Sequence, residues 1–301
     1  GWWRTTRDAA SADRSRLIAL GINDLVSLVC VRPANAQSVF DVVNSVRPRQ
    51  ICFLAGQSSV ALSFEQPVQT MESIATGMLN VLEAVRAIDT NIRVLNVGSS
   101  ECFGDTDGEH ATEQTPFRPL NPYATAKACA QHLLTSYRLS CGIRGGTAIL
   151  FNHESPLRPE RFVTQKIVYG ARSVAAGEIP VLKLGNLDVI RDWGWSPDYV
   201  EAMVKMLDRD APEDFVIATG KSVPLAYFVE RAFRNFGLDW REHVVTDAQF
   251  KRPTDVAVSA ANPVHARNVL GWQATHDLDY VVDAMCDAAR SSPTKFDGCL
   301  H

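Results

Sequence analysis

Ser99-Ser100-Glu101 sets a hydroxyl two residues from a carboxylate, and Tyr123-Ala124-Thr125-Ala126-Lys127 sets a phenol four residues from an ammonium. Positions four apart on a helix share a face, so Tyr123 and Lys127 are expected side by side. A free phenol, with a pKa of about 10, is a poor base at neutral pH. A neighbouring ammonium favours the phenolate and lowers that value. Tyr123 can then take a proton from a sugar hydroxyl while a nicotinamide takes the hydride, with Ser99 holding the same hydroxyl by a hydrogen bond. Glu101 adds a second operation. Oxidising a sugar at C4 acidifies the proton on C5, and a positioned carboxylate can remove it; loss of the C6 hydroxyl follows. The Y-x-x-x-K spacing alone is weak, and its place 24 residues after Ser99 (123 − 99) strengthens it. Plainer readings exist, with Glu101 an exposed loop carboxylate and Ser99 a turn or cap residue.

These groups need a scaffold that brings strand ends and helix starts together. Strand-like runs are expected at 2–6, 25–31, 50–55, 92–97 and 146–151, alternating with helices at 11–20, 36–46, 67–88 and 121–141. The strands are rich in Val, Ile and Leu at successive positions, as when both faces are buried. The alternation predicts an α/β fold, a doubly wound parallel sheet with helices on both faces. In such sheets ligands bind outside the carboxyl ends of the strands. Three strands end in small polar residues: Ala55-Gly56-Gln57-Ser58-Ser59, Gly98-Ser99-Ser100-Glu101 and Phe151-Asn152-His153-Glu154-Ser155. All three clusters are expected at one edge.

After Phe151 the rhythm breaks. Helices are expected near 163–176, 197–207, 225–236, 263–270 and 278–289, with a strand at 214–219. The predicted division is a dinucleotide-binding domain of 1–151 plus about 187–220, and a smaller mixed α/β substrate domain of 152–186 plus 221–301. A net charge of −4 in 301 residues offers no electrostatic case for nucleic acid or a membrane surface. No apolar run reaches the length of a membrane span. Seven cysteines without a C-x-x-C pair read as reduced thiols of a cytoplasmic protein, Cys102 among them as a packing residue. The seven histidines lack ligand spacing, so no metal site is predicted.

The chain resembles the GDP-mannose 4,6-dehydratases, extended short-chain dehydrogenases/reductases with a Rossmann-like fold. The resemblance is carried by Leu54-Ala55-Gly56-Gln57-Ser58-Ser59-Val60, Gly98-Ser99-Ser100-Glu101-Cys102-Phe103-Gly104 and Asn121-Pro122-Tyr123-Ala124-Thr125-Ala126-Lys127. It continues in FNHESPLRPERFVTQKI from Phe151, LGNLDVIRDWGWSPDYVEAM from Leu184 and DFVIATG from Asp214. It implies NADP as cofactor, GDP-D-mannose as substrate, GDP-4-dehydro-6-deoxy-D-mannose as product, and a homo-oligomer, dimer or tetramer. By position, Ser99, Tyr123 and Lys127 match the family triad and Glu101 its C5 base. Ala55, Gln57 and Ser59 fall on the cofactor side, with Tyr123 and Lys127, and Ser58 on the substrate side. Asn152 and Glu154 match residues lining the sugar pocket, and Val163 and Lys166 a nucleotide-contacting helix start. Arg191 and Arg252 match arginines that clamp a diphosphate; taken alone, Arg191 reads nearly as well as half of a structural salt bridge. Arg7 follows the 2–6 run, which aligns with the family's second strand, where an arginine suits the 2′-phosphate of NADP, although Asp8 stands beside it.

The sequence departs from the family in several places. No G-x-x-G-x-x-G loop, whose amides would hold a pyrophosphate at a helix N-terminus, occurs in the 301 residues. The sequence therefore reads as an N-terminally truncated member. Arg32-Pro33-Ala34-Asn35 lacks the Asp-Leu of many relatives, Gln165 stands where arginine is common, and Ala261-Asn262 replaces a frequent Gly-Asp. Two other readings compete: an epimerase or 4-keto reductase of the same superfamily, which needs the triad but no C5 base, and a non-catalytic sugar-nucleotide-binding relic.

Overall fold

Short apolar runs become strands here where helices cover them, and the covering follows the alternation of the sequence. The structure, a computed structural model, describes residues 2–6, 14–250 and 254–291. The chain forms two compact units: Gly1–Cys102 with Pro119–Ala148 and Met206–Asp214, and Phe103–Arg118 with Ile149–Lys205 and Phe215–His301.

In unit 1, β1 (Trp2–Thr6) pairs in parallel with β2 (Val26–Cys30), and α1 (Ser15–Ala19) lies between them in sequence. There follow α2 (Ala36–Val46), β3 (Gln50–Phe53), α3 (Val60–Glu65), α4 (Pro67–Met71), α5 (Gly77–Ile88), β4 (Arg93–Val97), α6 (Pro122–Cys141) and β5 (Gly145–Leu150). Strands β3, β4 and β5 run parallel in that order, with Phe53 opposite Asn96 and Val97 opposite Ala148. Val39 and Val43 of α2, Met78, Leu82 and Val85 of α5, and Ala126, Ala130 and Leu134 of α6 bury against Phe53 and Val94. Each Val, Leu, Met or Phe among them contributes on the order of 1.5–3 kcal/mol on leaving water. Gly145 and Gly146 let neighbours approach β5 from both sides. A Cβ on Gly145 would stand 2.5 Å from Leu134 of α6, and one on Gly146 would stand 2.2 Å from the Glu213 carbonyl oxygen. The helix predicted over 67–88 is α4 and α5 joined by a π-helical turn at Glu72–Thr76. The Arg32–Asn35 segment ends in a helix cap, the Asn35 side chain accepting from the Ser38 N–H at 2.8 Å.

Unit 2 contains β6 (Asn152–Glu154), α7 (Val163–Ala175), β7 (Leu182–Leu184), β8 (Ile190–Trp195), α8 (Ser196–Asp208, its last turn counted in unit 1), β9 (Phe215–Ile217), β10 (Ser222–Pro224), α9 (Leu225–Asn235), α10 (Trp240–His243), β11 (Val244–Thr246) and α11 (Leu278–Ser291). Strand β8 has β6 parallel on one side and β10 antiparallel on the other. Strands β7 and β11 form a second, parallel pair. Helices α7, α9 and α11 share a core with Trp193 of β8.

The compact units do not follow the boundaries of the expected cofactor and substrate domains, 151 and 187–220. The change falls inside β5, between Ala148 and Ile149, and only Met206–Asp214 of the later stretch joins unit 1. The cause is apolar burial. Phe103, Ala111, Ile149, Phe151, Val216 and Ala218 form one cluster, which draws 103–118 and 215–220 into unit 2. The π-helical turn at Ala266–Leu270 falls within the helix expected at 263–270.

Candidate active site

The polypeptide leaves β4 at Val97 and passes through Gly98 and Ser99 into a 3-10 turn, Ser100–Phe103. Helix α6 starts nearby because Asn121-Pro122 is built to start one. The Asn121 Oδ1 accepts the Ala124 N–H at 2.8 Å, and Pro122 occupies a first-turn position where a missing N–H costs nothing. Tyr123 and Lys127 follow on the first two turns, both buried. The Lys127 Nζ donates to the Val97 carbonyl at 2.7 Å and lies 5.9 Å from the centroid of the Tyr123 ring. One ammonium thus ties α6 to the end of β4. Burial pushes the Lys127 pKa down to about 8, which keeps the ammonium at pH 7. The Cys102 thiol is buried against the Ala124 carbonyl, and burial pushes its pKa up to about 12. That is the neutral packing residue expected.

Glu101 reaches the same place from the strand side. Its Oε2 accepts from the Asn121 Nδ2 at 3.1 Å, and its backbone N–H donates to the Ser99 Oγ at 3.3 Å. Ser99, Glu101, Tyr123 and Lys127 are therefore gathered where β4 ends and α6 begins. Asn121 was absent from the sequence-based candidates. Its signal was an Asn before Pro at a helix start, which reads as a cap and gives no hint of the second contact.

The loop after β3 lies next to the end of β4, as the register requires. The Gln57 Nε2 donates to the Thr70 Oγ1 at 2.9 Å, and its Oε1 accepts the Ser59 N–H at 2.7 Å. The Ser59 Oγ caps α3 by accepting from the Leu62 N–H at 3.2 Å. Gln57 and Ser59 thus shape this loop, with Ala55 half-buried and Ser58 exposed. Arg7 lies outside the described residues, as does Arg252.

The third polar cluster belongs to unit 2. Asn152 and Glu154 stand on β6. The buried Glu154 carboxylate accepts from the Thr164 Oγ1 at 2.8 Å and lies 3.3 Å from the Arg158 guanidinium. Burial raises its pKa, against the pull of Arg158 and Thr164. Val163 opens α7, whose N-cap, Phe162, offers no side-chain acceptor to the first amides. Lys166, one turn in, holds its ammonium 3.7 Å from the Phe250 ring centroid, and burial lowers its pKa. On β8 the Arg191 guanidinium meets Asp255 at 3.0 Å and the Ile190 carbonyl at 2.8 Å. Asp192, facing oppositely along the strand, accepts from the Thr219 and Gly220 backbone N–H groups. Thr164, Arg158 and Asp255 are not among the residues the sequence points to, since Arg158 and Asp255 lie in irregular segments with no pattern of their own and Thr164 reads only as a first-turn residue of α7. A cavity of about 660 Å³ in unit 2, bordered by Trp193, Tyr227, His276 and Tyr280, is lined by none of the predicted residues. Among the described residues no cluster could hold a metal ion, and no helix is long and apolar enough to cross a membrane.

The family model for GDP-mannose 4,6 dehydratase matches residues 4–285. GDP-mannose 4,6 dehydratase 1 of Arabidopsis thaliana is 40% identical over 258 residues, covering 84% of this chain and 71% of the relative. Among solved structures, the dTDP-glucose 4,6-dehydratase DesIV of Streptomyces venezuelae, with NAD and TYD bound, superposes with a TM-score of 0.84 at 18% identity. The match covers 96% of this chain and 87% of that one. The RMD protein of Pseudomonas aeruginosa, complexed with NADPH, gives 0.78 at 21% identity over 89% and 91%. The two structures share the Rossmann-like fold. A family match spanning nearly all of the chain, together with a relative at this level of identity, makes the chain a member of the GDP-mannose 4,6-dehydratase family.

Proposed function

We propose that this protein converts GDP-D-mannose to GDP-4-dehydro-6-deoxy-D-mannose, using NADP. The observation that carries this reading is Glu101, held beside the start of the helix that bears Tyr123 and Lys127. An epimerase or a 4-keto reductase has no use for a carboxylate base there. Tyr123, beside the Lys127 ammonium, takes the proton of the C4 hydroxyl, which Ser99 orients by a hydrogen bond. When bound, NADP would supply the hydride acceptor for C4 and, after water is lost, the hydride donor for C6. Glu101 then removes the C5 proton, which the new ketone has made acidic. The C5–H electron pair becomes the C5–C6 double bond as the C6–O bond breaks. The departing hydroxide takes the proton from Glu101 and leaves as water; once C6 has received its hydride, C5 takes up a proton equivalent to the one that Tyr123 removed from the C4 hydroxyl, so the net change is the loss of one water.

Lys127 supports the fit of a nucleotide ribose. An ammonium has three donors, and this buried one makes a single hydrogen bond among the described residues, to Val97. Two donors are left for a diol. Ala55, Gln57 and Ser59 are assigned to the cofactor, and Ser58, Asn152, Glu154, Val163, Lys166 and Arg191 to GDP-mannose. Arg7 is assigned to the 2′-phosphate and Arg252 to the diphosphate on sequence grounds alone. Units 1 and 2 are read as the cofactor and substrate domains. By its resemblance to the family, the protein is assigned to the cytoplasm as a homo-oligomer, a dimer or tetramer.

The test is to incubate the protein carrying this chain with GDP-mannose and NADP and to weigh the product. Loss of one water is expected, and Glu101→Gln should lower its rate by at least about 100-fold. An unchanged mass, or undiminished dehydration by the Gln variant, overturns the assignment.

A further inference from the structure

We infer that Asn121 is a positioning residue that aims the Glu101 carboxylate at the C5 proton and ties it to the helix carrying Tyr123 and Lys127; this rests on the dehydratase reading above. A side-chain amide has a carbonyl that accepts and an NH2 that donates. The cap of α6 uses the first, since the Oδ1 receives the Ala124 N–H at 2.8 Å. The second goes to Glu101 at 3.1 Å. The amide cannot be turned round, because oxygen would then face oxygen at Glu101 and N–H would face N–H at Ala124.

Capping alone does not call for this residue. Ser, Thr or Asp caps a helix about as well, but a serine hydroxyl is too short to span both contacts and an aspartate has no donor. Asn121 is buried, at 6% exposure, and its backbone carbonyl accepts both the N–H and the Oγ1 of Thr125 at 3.0 Å. Its own position is thus fixed from three directions. Among the described residues, its amide is the one hydrogen-bond partner of the Glu101 carboxylate. The acceptor of the C4 hydroxyl proton and the acceptor of the C5 proton are therefore set by one helix start, and the distance between them does not depend on loop motion. A misplacement of about 1 Å can cost on the order of 100-fold in rate, which is the scale on which such a tether acts.

Asn121→Ser and Asn121→Asp both retain a cap, so both should fold and melt close to the parent protein. The measurement is steady-state turnover of GDP-mannose and of GDP-mannose deuterated at C5. For Asn121→Ser, kcat should fall roughly 10- to 100-fold with KM little changed, and the C5 deuterium effect on kcat should increase because proton removal becomes the slow step. Asn121→Asp should lose more, because it sets a second carboxylate against Glu101. Parental kcat in both variants overturns the inference. So does a loss of kcat without a larger C5 isotope effect, which would mean a purely structural role. If the parent protein releases no water from GDP-mannose, the dehydratase reading fails first, and with it this one.

Discussion

Lys127 and Glu101 of unit 1 meet neutral partners, a backbone carbonyl and a side-chain amide, whereas Glu154 and Arg191 of unit 2 each face a side chain of opposite charge. A neutral partner fixes a charged group in place and leaves its charge free to act on a substrate. An ion pair cancels most of the field, and one member must give up its partner before it can grip anything else. Preorganised but uncompensated charge is what stabilises a transition state, at a cost in stability, because burial of an ionised group is opposed. Unit 1 accepts that cost at Lys127. Unit 2 offsets it locally, with Thr164 and Arg158 around Glu154 and with Asp255 against Arg191.

The largest expected effect comes from removing the uncompensated charge. Lys127→Met should reduce dehydration by on the order of 1,000-fold while raising the melting temperature at pH 7. The sign follows from linkage. The folded-state pKa of about 8 lies below the ordinary value of 10.5, so between these pH values the unfolded chain binds more protons and stability rises with pH. Below about pH 8 both states are protonated, and the folded protein bears the full cost of the buried ammonium, on the order of 3 kcal/mol. Denaturant unfolding of the parent and the variant across pH 7–10 should therefore show the parent gaining on the variant as pH rises. Parallel profiles would remove the contrast between the units.

The next effect concerns the ion-paired arginine. If Arg191 must leave Asp255 to bind a diphosphate, Arg191→Ala should raise KM for GDP-mannose about 10- to 100-fold, the loss of a charge-assisted contact, with kcat largely kept. Asp255→Asn should act the other way and tighten GDP binding by a few-fold, readable by calorimetry. Weaker binding in the Asp255 variant would mean that the pair preorganises Arg191 instead of restraining it.

The smallest effect is structural. Thr164→Val leaves the buried Glu154 carboxylate without its hydroxyl donor, and should cost about 1–3 kcal/mol in denaturant unfolding. A neutral result would show that Arg158 alone satisfies Glu154.

Much of unit 1 was legible in advance. The helix expected at 121–141 is α6, and the strand expected at 92–97 is β4, each within one residue. Long elements repeat their pattern often enough to be read. Unit 2 hid its sheets: β6, β7, β10 and β11 are three residues each, too short to show a period of two, and Ser222-Val223-Pro224 has a single apolar strand former, Val223, next to a proline. The boundaries of the compact units are hidden from the sequence for a related reason. Phe103, Phe151 and Val216 are far apart in sequence, and nothing local announces that they pack together.

The same limit separates the two halves of the site. That Tyr123 and Lys127 share a helix face is a property of five consecutive residues and a 3.6-residue turn, so the sequence by itself determined it. That Asn121 holds Glu101, 20 positions away, and that Lys127 reaches Val97, 30 positions away, depends on where β4 ends against the start of α6. Only tertiary packing decides that, because hydrogen bonds between distant segments exist only once the sheet and helix cores have brought those segments together.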